Sequence, residues 1–136
     1  MGGALGCDQM VAASNMARLE AIASELPEAK RVNVEAWDDH PTFRVRGKNF
    51  IFSNPTATNF SFKLSKEEAA AVVATDPDAE PSTYGLGRHG WVAIDLPIDA
   101  DDERWSEVTE WIRTSYTLVA PKPLAWVVLE QDAASR

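Results

Sequence analysis

At 136 residues, 45% hydrophobic and 25% charged, the chain is long enough for one packed domain and too short for two, and its composition fits neither a disordered nor a membrane class. A formal net charge of −8 repels nucleic acid and anionic lipid over most of the surface, so any anion-binding face has to be local. One cysteine, Cys7, and two histidines, His40 and His89, exclude an internal disulfide and offer no ligand-spaced set for zinc, so no metal or cofactor is expected.

The opening MGGALGC lacks the basic start and long apolar stretch of a secretory signal. No apolar run approaches the roughly 18 residues of a spanning helix. A cytoplasmic protein with no membrane partner is expected, folded as a single domain over residues 1–136 with 1–7 as a flexible tail. From residue 8 to residue 26, Ala12, Met16, Leu19, Ile22, Ala23 and Leu26 recur at three- and four-residue spacings. That period predicts an amphipathic helix, with Asp8 as N-cap and Pro27 as its stop. KRVNVEAWDD is too mixed for more than a short strand or an approach loop.

From residue 42 the period becomes two. Phe43 and Val45 alternate with Arg44 and Arg46, Gly47-Lys48 makes a turn, and Phe50 and Phe52 alternate with Asn49, Ile51 and Ser53. After the turn cluster NPTAT, Phe60, Phe62 and Leu64 alternate with Ser61 and Lys63, which completes a three-stranded antiparallel meander. Ser65 with Glu68 forms a capping box for a short Ala-rich helix that Asp76-Pro77 ends. A polar loop and the glycine-rich GLGRHG, residues 85–90, lead into the strand WVAIDL. Acidic residues from Asp99 to Glu103 favour the start of the next helix, whose stripe is Trp105, Val108, Ile112, Ser115 and Val119, and Pro121 interrupts it. LAWVVLEQ, residues 124–131, reads better as helix than as strand.

The order α-β-β-β-α-β-α with hairpin-length links predicts a two-layer α+β domain: an antiparallel sheet with helices packed on one face. Strict alternation then sends Phe43, Val45, Phe50, Phe52, Phe60, Phe62 and Leu64 to the helices, and Arg44, Arg46, Asn49, Ser53, Ser61 and Lys63 to the open face. Residues 42–66 carry Arg44, Arg46, Lys48, Lys63 and Lys66 and no carboxylate, whereas residues 67–80 carry five carboxylates and no cation. Two readings follow: an anion-binding face able to grip phosphates, or a solvated face whose charges meet acidic helices elsewhere in the fold.

Arg88 and His89 add a basic tip between Tyr84 and Trp91, a pairing of cation and aromatic surface that suits nucleic acid, although Trp and Tyr are more often core. Asp38, Asp39 and Asp99 to Glu103 show no EF-hand spacing. No nucleophile motif or convergent acid–base pair appears, so a binder rather than an enzyme is expected. DNA or another polyanion on Arg44, Arg46, Lys48, Lys63, Arg88 and His89 is the leading expectation. The alternative is a protein- or small-ligand-binding module that uses the same face or a pocket near Tyr84 and Trp91. Exposed strand edges leave room for a dimer.

TFRVRGKNFIF, Lys63 in FSFKLS, YGLGRHGWVAIDL and SYTLVAPKPLA occur in an order that resembles the MmcQ/YjbR-like family, over about residues 18–126. The resemblance implies a compact α+β fold similar to secretion-chaperone and CyaY-like architectures. It also implies DNA binding, since the family's sheet looks like the double-wing module of a phage transcription factor. Matching positions are Phe43, Val45, Gly47, Lys48, Phe50, Lys63, Tyr84, Gly90, Trp91, Ser115 and Tyr116. Of these, Lys48 and Lys63 are implied as phosphate contacts and the rest as fold determinants.

Overall fold

The computed structural model describes residues 15–34, 40–83 and 86–134, with side chains as far as residue 131. Cys7, Asp8, Asp38, Asp39 and Tyr84 lie outside the described residues, as does the expected tail 1–7. In chain order the elements are helix α1 (15–24), β1 (Lys30–Val34), β2 (His40–Val45), β3 (Lys48–Ser53), β4 (Asn59–Lys63), α2 (Lys66–Thr75), β5 (Ala79–Pro81), a 3-10 turn (Leu86–His89), β6 (Trp91–Asp95), α3 (Asp102–Val119) and α4 (Lys122–Ala134). The expected order stands, with two short strands added at the sheet edges and α4 after α3.

The six strands pair antiparallel in the order β1-β2-β3-β4-β6-β5. The helix-side row runs Arg31, Phe43, Ile51, Phe62, Val92, Pro81 across the whole sheet, because directly paired residues share a face. Its middle four are buried in one core with Leu19 and Leu26, Ala69 of α2, Val108, Ile112 and Tyr116 of α3 and Val128 of α4. Trp111 stacks on Phe62 at 5.3 Å, and Phe50 meets Tyr116 edge-on at 5.4 Å. Burial raises the affinity of the Tyr116 hydroxyl for its proton, and Glu28 adds to the effect. That hydroxyl donates to the Pro27 carbonyl at 2.6 Å, fixing the exit of α1. Buried Asn15 ties the other end of α1 to the carbonyls of Ala57 and Leu96.

The expected alternation fails in β3. Phe43 pairs Ile51, but Arg44 pairs Asn49, so Phe50 is an extra residue, a β-bulge. Phe50 and Ile51 are therefore both buried on the helix side. Beyond the bulge the parity is reversed: Ser53 is buried beside Phe60, and Phe52, expected among the core residues, turns to the open face against Trp91 at 5.1 Å. The hairpin turn also sits one residue earlier than expected. Arg46 and Gly47 both have positive φ, 51° and 80°, as a two-residue type I′ turn requires, and Lys48 begins β3.

Of the two readings open for KRVNVEAWDD, a short strand or an approach loop, the strand is what forms, and the polar loop after α2 holds a second short strand. β1 puts Val32 on the open face opposite Thr42 and Arg31 on the helix side, where it pairs with Glu20. That inverts the usual pattern. β5 contributes three residues held against β6. The capping box works as expected, with Ser65 Oγ accepting from the Glu68 amide at 3.1 Å, and Asp101 caps α3 through the Arg104 amide at 2.8 Å. Among the described residues no helix is long and apolar enough to cross a membrane.

Candidate functional site

The sheet face opposite the described helices is organised by the same register. Its central row is Val32, Thr42, Phe52, Ser61, Ala93, Glu80, uncharged until the β5 edge. Beside it lies a second row in which Lys30 pairs Arg44, Arg44 pairs Asn49, and Lys63 pairs Trp91. Arg44 and Lys63 thus share the open face as expected. Lys30 joins them from the strand that the sequence pattern hid. Its signal was available only through the inverted alternation of KRVNV, where Lys30 and the valines share the face of Thr42 and Arg31 does not.

Antiparallel pairing brings more together than a face. Lys30 starts β1, Arg44 and Arg46 end β2, Lys48 starts β3, Lys63 ends β4, and Arg88 and His89 stand just before β6. All seven therefore lie at one end of the strands, along a rim that crosses five strands, roughly 20 Å at the usual strand spacing. The opposite end carries Asn59 and Asp95, hydrogen-bonded at 2.7 Å, with Asp76 and Asp78 before β5. Charge is segregated along the strand axis, a feature that composition by segment only hinted at.

Within the rim the cations differ. Arg44 is half-buried, and its Nε donates to Thr42 Oγ1 at 3.2 Å, which fixes the guanidinium over the sheet. The Lys48 side chain shares the side of buried Val45 and so leans toward the helix layer. Arg46, expected on the open face, instead grips Glu28 through two hydrogen bonds of 2.6 and 2.8 Å, because the turn aims it at the end of α1. That contact holds the Glu28 carboxyl below the usual carboxylate range and raises Arg46. Among the described residues Lys30, Arg44, Lys48 and Lys63 form no ion pair. Arg88 and His89 are exposed on the 3-10 turn. Trp91 is 8% exposed, so it floors the face next to Lys63 rather than presenting a ring for stacking. Beside Arg44, the Asn49 Oδ1 is buried without a hydrogen-bond partner among the described residues.

Two clefts lie away from this face, and neither includes Trp91. One of about 340 Å³ is lined by Arg18, Ile22, Asp102 and Trp105. The other, about 350 Å³, lies between α2 and α3 and contains Arg104. Arg104 was missed in the sequence because it lies in the acidic start of α3. It makes a forked pair with Asp76 at 2.6 and 3.1 Å and sits 5.3 Å above the Trp111 ring, with Glu107 at 3.4 Å. So saturated a cation reads as a structural clamp. Among the described residues no group of three or more His, Cys, Asp or Glu is placed to hold a metal ion.

The family model described as YjbR matches residues 24–118, which contain the whole sheet and all of the basic rim. The chain belongs to the YjbR family. A solved structure similar to this YjbR chain is that of Deinococcus radiodurans protein DR2400, described as a DUF419 domain, the name that denotes the YjbR/MmcQ family. The two share 20% identity and a TM-score of 0.64, over 81% of this chain and 84% of the other. At that identity the likeness supports the fold alone. No curated protein matches this YjbR sequence.

Proposed function

We propose that this YjbR protein binds DNA, or another phosphate polyanion, along the basic rim and the adjoining half of the open sheet face, without catalysing a reaction. One observation carries the reading: Lys30, Arg44 and Lys63 share one face at the end of the strands where Lys48, Arg88 and His89 also gather. Sheet-borne side chains are pre-positioned, so phosphate contacts there need little ordering. A net charge of −8 makes such binding weak, strongly salt-dependent and confined to the rim. The proposal carries a cytoplasmic setting with it, where nucleic acid is accessible.

The test is fluorescence anisotropy with labelled single- and double-stranded DNA across a salt series, comparing wild type with Lys30→Ala/Arg44→Ala/Lys63→Ala. Salt-sensitive binding that the triple substitution abolishes is the expected result. Failure to bind at low salt removes the proposal.

A second reading draws support from the uncharged central row, where exposed Val32 and half-buried Phe52 and Ser61 could meet a protein partner with acidic flanks facing the rim. The small-ligand version has less support among the described residues, where Trp91 is buried and lines neither cleft.

A further inference from the structure

Helix α4 leaves an apolar strip in solvent. Trp126 is 60% exposed and Leu129 50%, and Val127 is also exposed, while Ala125 is buried and Val128, on the side away from Trp126, belongs to the core. Isolated surface apolar residues need no explanation, but a tryptophan and a leucine one turn apart on a single helix face do. The strip lies outside residues 24–118, the part that matches the family.

Its charges identify what covers it. Lys122 and Glu130, both exposed, stand four residues before and four residues after Trp126. At 3.6 residues per turn the three side chains lie on one face, with opposite charges at equal distance from the aromatic. A two-fold axis through Trp126, perpendicular to the helix, carries Lys122 of one copy to the height of Glu130 of the other, and the reverse. Such a self-complementary patch is what an isologous contact requires. A parallel pairing would set like charges together, and an anionic lipid surface would favour cations without the glutamate.

We propose that this chain forms a homodimer through α4, packed antiparallel against the α4 of a second copy, with Trp126 at the two-fold axis and two Lys122–Glu130 ion pairs flanking it. The helix is about 20 Å long at 1.5 Å per residue, so the contact is small and the dimer dissociates on dilution. The inference goes beyond the DNA reading and does not depend on it. It places the interface away from the strand edges.

The experiment is sedimentation equilibrium on the full chain from low micromolar to near-millimolar concentration. The expected wild type is a monomer–dimer equilibrium. Trp126→Ala should remove the dimer while circular dichroism stays unchanged, because the side chain is mostly in solvent. Lys122→Glu and Glu130→Lys should each weaken association about tenfold or more, since each replaces two attractions by two repulsions. The double swap Lys122→Glu/Glu130→Lys should return to within about threefold of wild type. A monomer at every concentration overturns the proposal. So does a dimer indifferent to Trp126→Ala, or a double swap no better than either single change. A wild type whose α4 is covered only on adding a different protein likewise overturns it.

Discussion

Ser115 of α3 donates its hydroxyl proton to the Phe50 carbonyl at 2.7 Å, and the same oxygen accepts the Lys63 amide at 2.8 Å. The helix side chain thereby bridges β3 and β4 next to the end pair of their ladder, Ile51 and Phe62. The resemblance implied Ser115 as a fold determinant, and this is its physical content: two backbone groups, a buried acceptor and a part-buried donor, share one hydroxyl.

Ser115→Ala leaves both groups without that partner, the Phe50 carbonyl buried and the Lys63 amide partly so. The expected cost is about 2–4 kcal/mol, the sum of two unsatisfied polar groups. Urea denaturation measures it, and a loss below about 1 kcal/mol would mean that water or a backbone shift replaces the hydroxyl.

Among the described residues two glycines, Gly47 and Gly90, have positive φ, and they should respond unequally to alanine. Gly47 has φ of 80° and open space where a Cβ would stand, so Gly47→Ala should cost only the backbone strain, about 1–2 kcal/mol. At Gly90, φ is 91° and a Cβ would stand 2.1 Å from the Leu64 carbonyl oxygen, whose own amide is bonded to Gly90. Gly90→Ala should therefore cost about 3 kcal/mol or more. Equal thermal shifts for the two variants would contradict the close approach of β6 to the end of β4.

Hydrogen bonding from Arg104 holds the Asp76 carboxyl below its usual range, against the opposing effect of burial. A folded-state value below the unfolded one gives stability that is present above about pH 4 and lost as pH falls through the folded value. Asp76→Asn should cost about 1–3 kcal/mol at neutral pH, because it leaves a mostly buried guanidinium short of its main partner. The difference from wild type should shrink below about pH 4. Urea midpoints at pH 7 and pH 3 check it, and a difference that does not change with pH would rule out the ionic contribution.

The rim makes an unequal demand on its arginines. Arg44→Ala should lower the salt slope of DNA binding by about one unit, whereas Arg46→Ala should change it little, because Glu28 already occupies that guanidinium. Glu28→Gln should do the opposite of an ordinary loss: it frees Arg46, tightens binding and steepens the slope by about one unit. Anisotropy titrations at several salt concentrations decide it, and an unchanged slope in Glu28→Gln would take Arg46 out of the interface.

Much of this arrangement was legible in the residues because core-facing strands advertise themselves. Phe43, Val45, Phe60 and Phe62 alternate against polar neighbours, and Trp105, Val108 and Ile112 mark the buried stripe of α3. What escaped was local inversion. In β1 the valines point away from the helices and an arginine toward them, a pattern that an edge strand with little to bury tolerates and that core-seeking periodicity cannot find. β5 holds only three residues and depends on β6 for its shape. In β3, two consecutive buried residues, Phe50 and Ile51, look like ordinary alternation with one lucky apolar neighbour. The basic rim was legible as a group of residue types, but not as one end of the sheet, since that requires the strand order. Arg46 left the face because the turn centre fell on it, and the Glu28 that captures it is distant in sequence.

The bulge at Phe50 splits β3 into two half-strands of opposite phase. Up to Phe50 the even positions face the helices; from Ile51 to Ser53 the odd ones do. Any scan of this strand should therefore give a tolerance pattern that changes sign midway, with polar residues accepted at 49 and 52 and refused at 50 and 51, while buried Ser53 tolerates only a small side chain. Deleting a single residue there would restore the regular phase and, in doing so, move Arg44 relative to Lys63 by one step of the ladder.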